Sequence, residues 1–355
     1  MSVYDKPDFD GHECVQFITD RASGLKAIIA IHSTALGPAA GGCRAWQYLS
    51  QEAAVTDALR LSQGMSFKNA LAGLPLGGGK AVILLSHGLP PTVAQFATFG
   101  RAINELQGRY ITAEDVGTRV VDMQIVARHT KFVSGLTPGE GRAGGDPSPK
   151  TALGVFLGMR TAWRLKSGQE SLRNARVAVQ GCGSVGWALC RLLHEEGASL
   201  VVADVAPDRV AQAEQEFGAA RASADEILSS DVDIVAPCAM GGVLDEARIE
   251  ALRASVVCGA ANNQLSDPED GERLRARDVL YAPDYVVNAG GIMAVAMEYF
   301  GAGSERELRN KIEGIPHTLS HIVDIASSER SATSAVADRL ARSIIHEAGA
   351  ARAMA

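Results

Sequence analysis

Four shortages in the sequence each exclude something. Aromatic residues make up only 5% of its 355 positions, which argues against a β-sandwich, whose strands draw heavily on them. No C-x-x-C pair occurs. The six cysteines (Cys14, Cys43, Cys182, Cys190, Cys238, Cys258) are scattered, so neither a disulfide framework nor a metal site is expected. Reduced thiols packed as small apolar side chains fit a cytoplasmic protein. No Lys/Arg-rich stripe offsets the formal net charge of -7, and nucleic acid, which needs a basic surface, is not an expected partner. Long apolar runs are also missing: nothing approaches the roughly 18 residues of a membrane span, and the acidic start MSVYDKPDFDGHE does not read as a signal peptide.

Glycine, by contrast, is plentiful at 37 residues, and tight glycine turns between apolar runs point to an α/β protein. The length favours two domains. KAIIAIHS (26–33), KAVILL (80–85) and RYITAED (109–115) read as strands, while EAAVTDALRL (52–61) and TVAQFATFGRAINEL (92–106) read as helices. SGLTPGEGRAGGDPSPK (134–150) has the composition of a hinge. A long helix, TALGVFLGMRTAWRL (151–165), follows it. VDIVAP (232–237), SVVCGAA (255–261) and VLYAPDYVVN (279–288) are further strands, and the tail from about 304 is helical in pattern. The expected division is 1–146, then 147–328, then a helical segment 329–355.

The most informative stretch is 176–205. RVAVQ is a strand, Gly181-Cys182-Gly183-Ser184-Val185-Gly186 is G-x-G-x-x-G, and WALCRLLHEEG continues as an amphipathic helix. Glycines there suit a tight turn, close approach of the backbone to a pyrophosphate, and close helix–strand packing. The helix N-terminus offers unpaired N–H groups to the phosphates. A second strand, SLVVAD, ends at Asp204, 18 residues past Gly186, where a carboxylate can accept from ribose hydroxyls and repel a 2′-phosphate. NAD is therefore expected over NADP, a preference that Arg209 nearby weakens slightly. This half is expected to be a Rossmann-type, doubly wound parallel sheet.

The other unusual stretch is Leu74-Pro75-Leu76-Gly77-Gly78-Gly79-Lys80, with Lys68 twelve residues before its lysine. Lysines desolvated by apolar surroundings become candidates for proton transfer. On composition alone, a flexible loop with two surface lysines is the better reading.

GPAAGGCRAW (37–46), GMSFKNALAGLPLGGGKAVI (64–83), RYITAEDVGT (109–118), APCAMGGV (236–243), GAANNQL (259–265) and YAPDYVVNAGG (281–291) together resemble the glutamate/leucine/phenylalanine/valine dehydrogenase family, most closely its leucine and phenylalanine branch. The resemblance runs from about His12 to about Asn310, with the motifs in the family's order. One departure is Ser86-His87, where the family often has Asp-Pro.

The resemblance implies two α/β domains around a cleft, an N-terminal substrate domain and an NAD domain, with the C-terminal helices returning to the first. It implies oxidative deamination of a small L-amino acid, and homo-oligomers. Lys80 would be the general base, Lys68 the cation holding the substrate carboxylate, and Asp115 the group exchanging protons with the amine. Substrate contacts would come from Ala40, Gly41, Gly42, Met65, Ala113, Asn262, Ile292 and Val295. Around NAD, Thr151, Cys238, Ala239, Asn262 and Asn288 would join the glycine turn.

Ala113 and Val295 resemble the leucine/valine enzymes, which favours a branched aliphatic substrate. Ala40 stands where leucine dehydrogenases usually carry Leu and would widen the pocket, and Ala294 and Met297 replace polar residues, so phenylalanine or another bulky side chain is the alternative. A γ-carboxylate needs a further cation, and none is evident for glutamate. A catalytically silent NAD-binding regulator is a different class of reading, but it would not need Lys68, Lys80 and Asp115. His317 and His321 lie four apart on a helix, and without a third ligand they read as a solvated face.

Overall fold

The structure, a computed structural model, describes residues 2–86, 89–136, 145–301 and 303–354. Residues 137–144 of the expected hinge, and His87, lie outside the described residues. The chain divides into two compact units. One comprises Met1–Asp146, Ile292–Leu308 and Ala341–Ala355, and the other Pro147–Gly291 and Arg309–Leu340. The first boundary between them falls at 146/147, and of the expected terminal segment 329–355 only 341–355 lies in the first unit. The second unit is not one continuous stretch, however, because residues 292–308 belong with the first.

The first unit holds a five-stranded sheet of β1 (Cys14–Asp20), β2 (Leu25–Ser33), β3 (Ala39–Trp46), β4 (Gly77–Leu84) and β5 (Tyr110–Glu114), in the order β1-β2-β4-β3-β5. The β3, β4 and β5 pairs are parallel, while β1–β2 and β2–β4 are antiparallel. Strand alternation sorts the core into two faces. Ile28, Ala30 and Val82 pack on Ala54, Val55, Ala58 and Leu59 of α1 (Gln51–Leu71). Ala27, Ile29, Ala81 and Ile83 pack on Phe96, Phe99 and Ile103 of α2 (Val93–Glu105) and on Met123 and Val126 of α3 (Val120–Ala127). Each such large apolar side chain, fully buried, contributes about 1.5–3 kcal/mol.

Helix α1 starts at a Ser50 cap, whose hydroxyl oxygen accepts from the Ala53 N–H. It runs ten residues beyond the apolar pattern at 52–61, because the buried face of its second half is largely polar: Ser62, Ser66, Lys68 and Asn69. The run Gly77–Gly79 is the start of β4 rather than a loop.

The second unit holds a six-stranded sheet in the order β11-β10-β9-β6-β7-β8, with every pair parallel. Its strands are β6 (Arg176–Gln180), β7 (Ser199–Ala203), β8 (Ala220–Arg221), β9 (Ile234–Pro237), β10 (Val256–Val257) and β11 (Leu280–Tyr281). The order reverses at β6/β9, as in a doubly wound sheet. Helices α4 (Ser148–Ser167), α5 (Ser184–Glu196), α6 (Pro207–Phe217), α7 (Glu246–Ala251), α8 (Asp270–Ala276) and α9 (Asp284–Val287) alternate with the strands. The tail carries α10 (Gly290–Tyr299), α11 (Glu305–Ile312), α12 (Ile315–Glu329) and α13 (Thr333–Met354).

Two strand readings shrink. Only Val256–Val257 of SVVCGAA pairs, and VLYAPDYVVN is a two-residue strand followed by α9. Pro283, which fixes the backbone and lacks an N–H, separates them.

Candidate active site

Two residues before Val82 on the same strand, Lys80 lies on the α1 face of the sheet and is only 4% exposed. Its Nζ donates to Oδ2 of Asp115, the residue that follows β5. Asp115 is positioned by its own turn, in which its backbone N–H donates to Thr118 Oγ1 at 2.9 Å and the Thr118 hydroxyl donates to the Cys43 carbonyl at 2.9 Å. Glycine permits this arrangement: a Cβ at Gly42 would fall 2.8 Å from Asp115 Cβ, and one at Gly41 would fall 1.8 Å from the Gly79 carbonyl and 3.2 Å from Met65 Cγ. The Tyr110 hydroxyl donates to the Gly41 carbonyl at 2.6 Å and fixes that strand from the other face.

Burial pushes the Asp115 carboxyl up, but Lys80 first and Arg44 second outweigh it and hold the group at about 2. The carboxylate is therefore ionised at neutral pH. Arg44, which the motif reading missed, has its Nε 3.8 Å from Asp115 Oδ2 and a guanidinium nitrogen 3.0 Å from Asp57. Tyr48 also donates to Asp57, at 2.6 Å. An arginine two residues after a glycine pair, in an apolar strand, was the available signal, since a half-buried cation needs carboxylates around it. Both are its own neighbours, so Arg44 is not a spare cation for a second substrate carboxylate.

Lys68 is also buried, on α1. Ala40 and Ala113 are 1% and 6% exposed, so Ala40 opens no space of its own here. Ile292 is buried and Val295 half-buried on α10, where the Val295 carbonyl accepts from Ser134 Oγ at 3.1 Å. Lys68, Lys80, Asp115, Met65, Ala40, Gly41, Gly42, Ala113, Ile292 and Val295 all belong to the first unit, whereas Asn262 belongs to the second.

In the second unit the three glycines have three different surroundings. Gly181 sits at φ +100°, a turn conformation that side chains disfavour. A Cβ at Gly186 would lie 1.9 Å from the Gly181 carbonyl, so only glycine lets α5 approach β6. Gly183, the N-cap of α5, faces open space, with only the tip of Arg209 as near as 4.0 Å. No side chain caps the helix there. Asp204 follows β7 with its side chain 5% exposed. Its Oδ2 accepts from the Cys182 N–H at 2.7 Å and its Oδ1 from the Ala206 N–H at 2.8 Å, so it also clamps the turn. Arg209 stands 3.8 Å from the same carboxylate. An open N-terminus over a backbone stripped of Cβ, with an acid beside it, fits the pyrophosphate and ribose of NAD.

Asn288 Nδ2 donates to Asn262 Oδ1 and to the Ala260 carbonyl, both at 3.0 Å, which orients Asn262. Burial pushes the Cys238 thiol up to about 12, so it is neutral, and Ala239 next to it packs 2.9 Å from the position of a Gly181 Cβ. Thr151 is the fourth residue of α4 rather than its first, with its hydroxyl donating to the Pro147 carbonyl at 3.0 Å. Ser184 and Val185 open α5. Among the described residues no group of His, Cys, Asp or Glu side chains is arranged to hold a metal ion, and none of the helices is long and apolar enough to cross a membrane.

Comparison with known proteins bears on this geometry. Residues 12–132 match the model of a Glu/Leu/Phe/Val dehydrogenase dimerisation domain, and residues 146–207 and 202–342 match that of the Glutamate/Leucine/Phenylalanine/Valine dehydrogenase domain. Leucine dehydrogenase of Bacillus subtilis (strain 168) is 48% identical over 330 residues, 93% of this chain and 90% of that one. Valine dehydrogenase of Streptomyces virginiae is 47% identical over 344 residues, 96% of each. The crystal structure of L-tryptophan dehydrogenase from Nostoc punctiforme superposes with a TM-score of 0.78 at 42% identity, covering 95% of this chain and 97% of that one.

Proposed function

The chain belongs to the glutamate/leucine/phenylalanine/valine dehydrogenase family, and on that premise we propose that it oxidises a branched-chain L-amino acid with NAD to the 2-oxo acid and ammonia. The overall change is amino acid, NAD⁺ and water to 2-oxo acid, ammonium, NADH and a proton, and it is reversible. The observation that carries the reading is the buried Lys80–Asp115 pair, in a unit that buries a second lysine, Lys68, on the helix packed against the same sheet.

When bound, NAD supplies the hydride acceptor. The chain's own residues do the rest. Lys68 holds the substrate carboxylate as a point charge. Asp115, ionised, takes and returns the amine proton as the imino acid forms and is hydrolysed. Lys80, hydrogen-bonded to Asp115, activates the water that adds to the imine carbon and shares its proton with that carboxylate. In the second unit Asn288 keeps the Asn262 amide in a fixed orientation for substrate and cofactor, Gly183 leaves room for the pyrophosphate, and Asp204 receives the ribose hydroxyls.

The substrate's side chain meets Met65, Ala113, Ile292 and Val295, all apolar, which supports leucine, isoleucine or valine. Phenylalanine or another bulky amino acid is the second reading, favoured by the likeness to the tryptophan enzyme. Self-association through the first unit belongs to the same proposal. It is supported by the description of the matched region as a dimerisation domain and by Phe17, 56% exposed on the edge strand β1. Six free thiols agree with a cytoplasmic location.

The test is NADH formation from a panel of L-amino acids, each with NAD and with NADP. The expected order of kcat/KM is branched aliphatic above aromatic, with glutamate inactive and NADP far behind NAD. No turnover with any amino acid would leave only a silent NAD-binding protein.

A further inference from the structure

A buried polar chain behind the lysines has no part in the chemistry above. Three residues of β2, Ile31 to Ser33, oppose two of β4, Gly79 and Gly78, so His32 is the extra residue of a β-bulge placed one residue from Lys80. The ring is 8% exposed. Its Nδ1 lies 2.7 Å from Ser66 Oγ on α1, and its Nε2 lies 3.2 Å from Asp10 Oδ2. That one carboxylate oxygen also accepts from Gln63 Nε2 at 2.7 Å and from the Arg342 guanidinium of α13 at 2.7 Å. Arg342 in turn stacks on Phe67, 5.0 Å from its ring centre.

Ser66 is the joint between this chain and the site. It lies between Met65 and Lys68, and a Cβ at Gly78 would fall 2.1 Å from its backbone nitrogen and 2.2 Å from its Oγ. The helix that carries Lys68 thus meets the strand that carries Lys80 at Ser66, in near contact. Three residues on, Asn69 Nδ2 donates to the Gly77 carbonyl at 2.6 Å and stitches the same seam. Ser66 is itself 1% exposed, so no substrate reaches its hydroxyl.

The hydrogens of this chain can be assigned. An ionised Asp10 can only accept, so His32 Nε2 carries the hydrogen, and Nδ1 accepts from the Ser66 hydroxyl. Burial first, and Arg342 besides, push His32 below the usual histidine range against the pull of Asp10 and Glu13, which keeps the ring neutral. His12, 4.9 Å away ring to ring, is likewise held down to about 4 by burial and by His32. Its Nδ1 accepts from the Asp10 N–H, so its Nε2–H faces Leu59 O and Ser62 Oγ. Both rings stay neutral, and the direction Ser66 to His32 to Asp10 is fixed.

We infer that His32 is a positioning residue for the two-lysine site: through Ser66 it sets the register of α1 against the Gly77–Lys80 strand, and Arg342 of the last helix holds it there through Asp10. The inference rests on the dehydrogenase reading for its kinetic consequence, but not for its geometry.

Four variants test it: His32→Leu, His32→Asn, His32→Gln and Ser66→Ala, each assayed well below its own Tm. Asparagine keeps an acceptor near the Nδ1 position, facing Ser66, whereas glutamine reaches only the Nε2 position, facing Asp10. His32→Leu, His32→Gln and Ser66→Ala should each lose about tenfold in kcat/KM for the amino acid, the size expected of a displacement well under an ångström, with KM for NAD unchanged. His32→Asn should recover most of the loss.

A second readout needs no turnover. Competitive acetylation of the lysines, read by mass spectrometry, should change at Lys68 and Lys80 relative to the exposed Lys26 in the same variants that lose activity. Should His32→Leu fail to fold, Ser66→Ala and Arg342→Met, which cuts the chain at its exposed end, carry the test. Unchanged kinetics and unchanged labelling, with only a lower Tm, would overturn the inference and leave His32 a core residue. An inactive wild type with altered labelling in the variants would sink the functional reading and keep this one.

Discussion

The two glycine-rich stretches, Gly77–Gly79 before Lys80 and Gly181–Gly186 after β6, look alike on paper and work in opposite ways. In the first, every missing Cβ is filled by protein: Ser33 lies over Gly77, Ser66 over Gly78 and Tyr110 over Gly79. Those glycines are strand residues, and the chemistry belongs to the charged side chains packed around them. In the second, two glycines serve the turn and the helix contact, and the third, Gly183, faces open space. There the group proposed to meet the cofactor is the backbone itself, through its N–H donors. A glycine whose Cβ would strike protein is a packing device. One whose Cβ would strike nothing, at a helix start, leaves open space that a ligand can use.

The largest expected effect separates the two regions by chemistry. Lys80→Ala should lower kcat by about a thousandfold, the middle of the range for loss of a positioned acid–base group. Calorimetric titration of the same variant with NAD should find wild-type affinity. Lys68→Ala should instead act mainly on KM for the amino acid. A Lys80→Ala enzyme within a few-fold of wild type would break the comparison at its root.

Next come the glycines themselves. Gly78→Ala forces a methyl to within 2.1 Å of the Ser66 nitrogen, where neither backbone can yield, and should cost about 3 kcal/mol in urea denaturation. Gly183→Ala meets nothing closer than 4.0 Å, so stability should barely move. The KM for NAD should still rise, by about tenfold or 1.4 kcal/mol, as the methyl occupies the space of the phosphates. If Gly183→Ala bound NAD normally, the open space would not be the cofactor's.

How much of this was legible depended on whether the signal was local. The turn from Gly181 to Asp204 was readable because strand, glycines, helix and acid follow in one unbroken stretch. The role proposed for Lys80 was not readable from composition, on which Gly-Gly-Gly-Lys reads better as a loop. Its partner Asp115 is 35 residues away and its helix neighbour Ser66 is 14 before it. The second half of α1 escaped its own pattern because its buried face is serine, lysine and asparagine. Arg44 and His32 were overlooked for a shared reason: each is polar, sits in a strand and is satisfied only by groups distant in sequence. The short strands β10 and β11 stood out as apolar runs, but apolarity reported burial, and the chain there turns at Pro283 into α9. Residues 292–308 belong to the first unit only because α10 passes from one unit to the other, which no periodicity encodes.

The smallest effect concerns what holds the first region together. Asp115 titrates at about 2 instead of its ordinary 3.8, because Lys80 and Arg44 outweigh its burial. A carboxyl held lower in the folded state than in the unfolded one contributes stability that is complete above the unfolded value and is lost as pH falls through the folded one. The difference in stability between wild type and Asp115→Asn should therefore be constant from neutral pH down to about 5 and then shrink towards pH 2, by about 2 kcal/mol. Urea midpoints across that range read the change, and subtracting the variant cancels the other carboxylates. A difference flat to pH 2 would mean that Asp115 is held by shape, like the glycines beside it, rather than by charge. A shrinking difference would place the contrast where the structure has it, with charged side chains organising the first glycine stretch and backbone N–H groups the second.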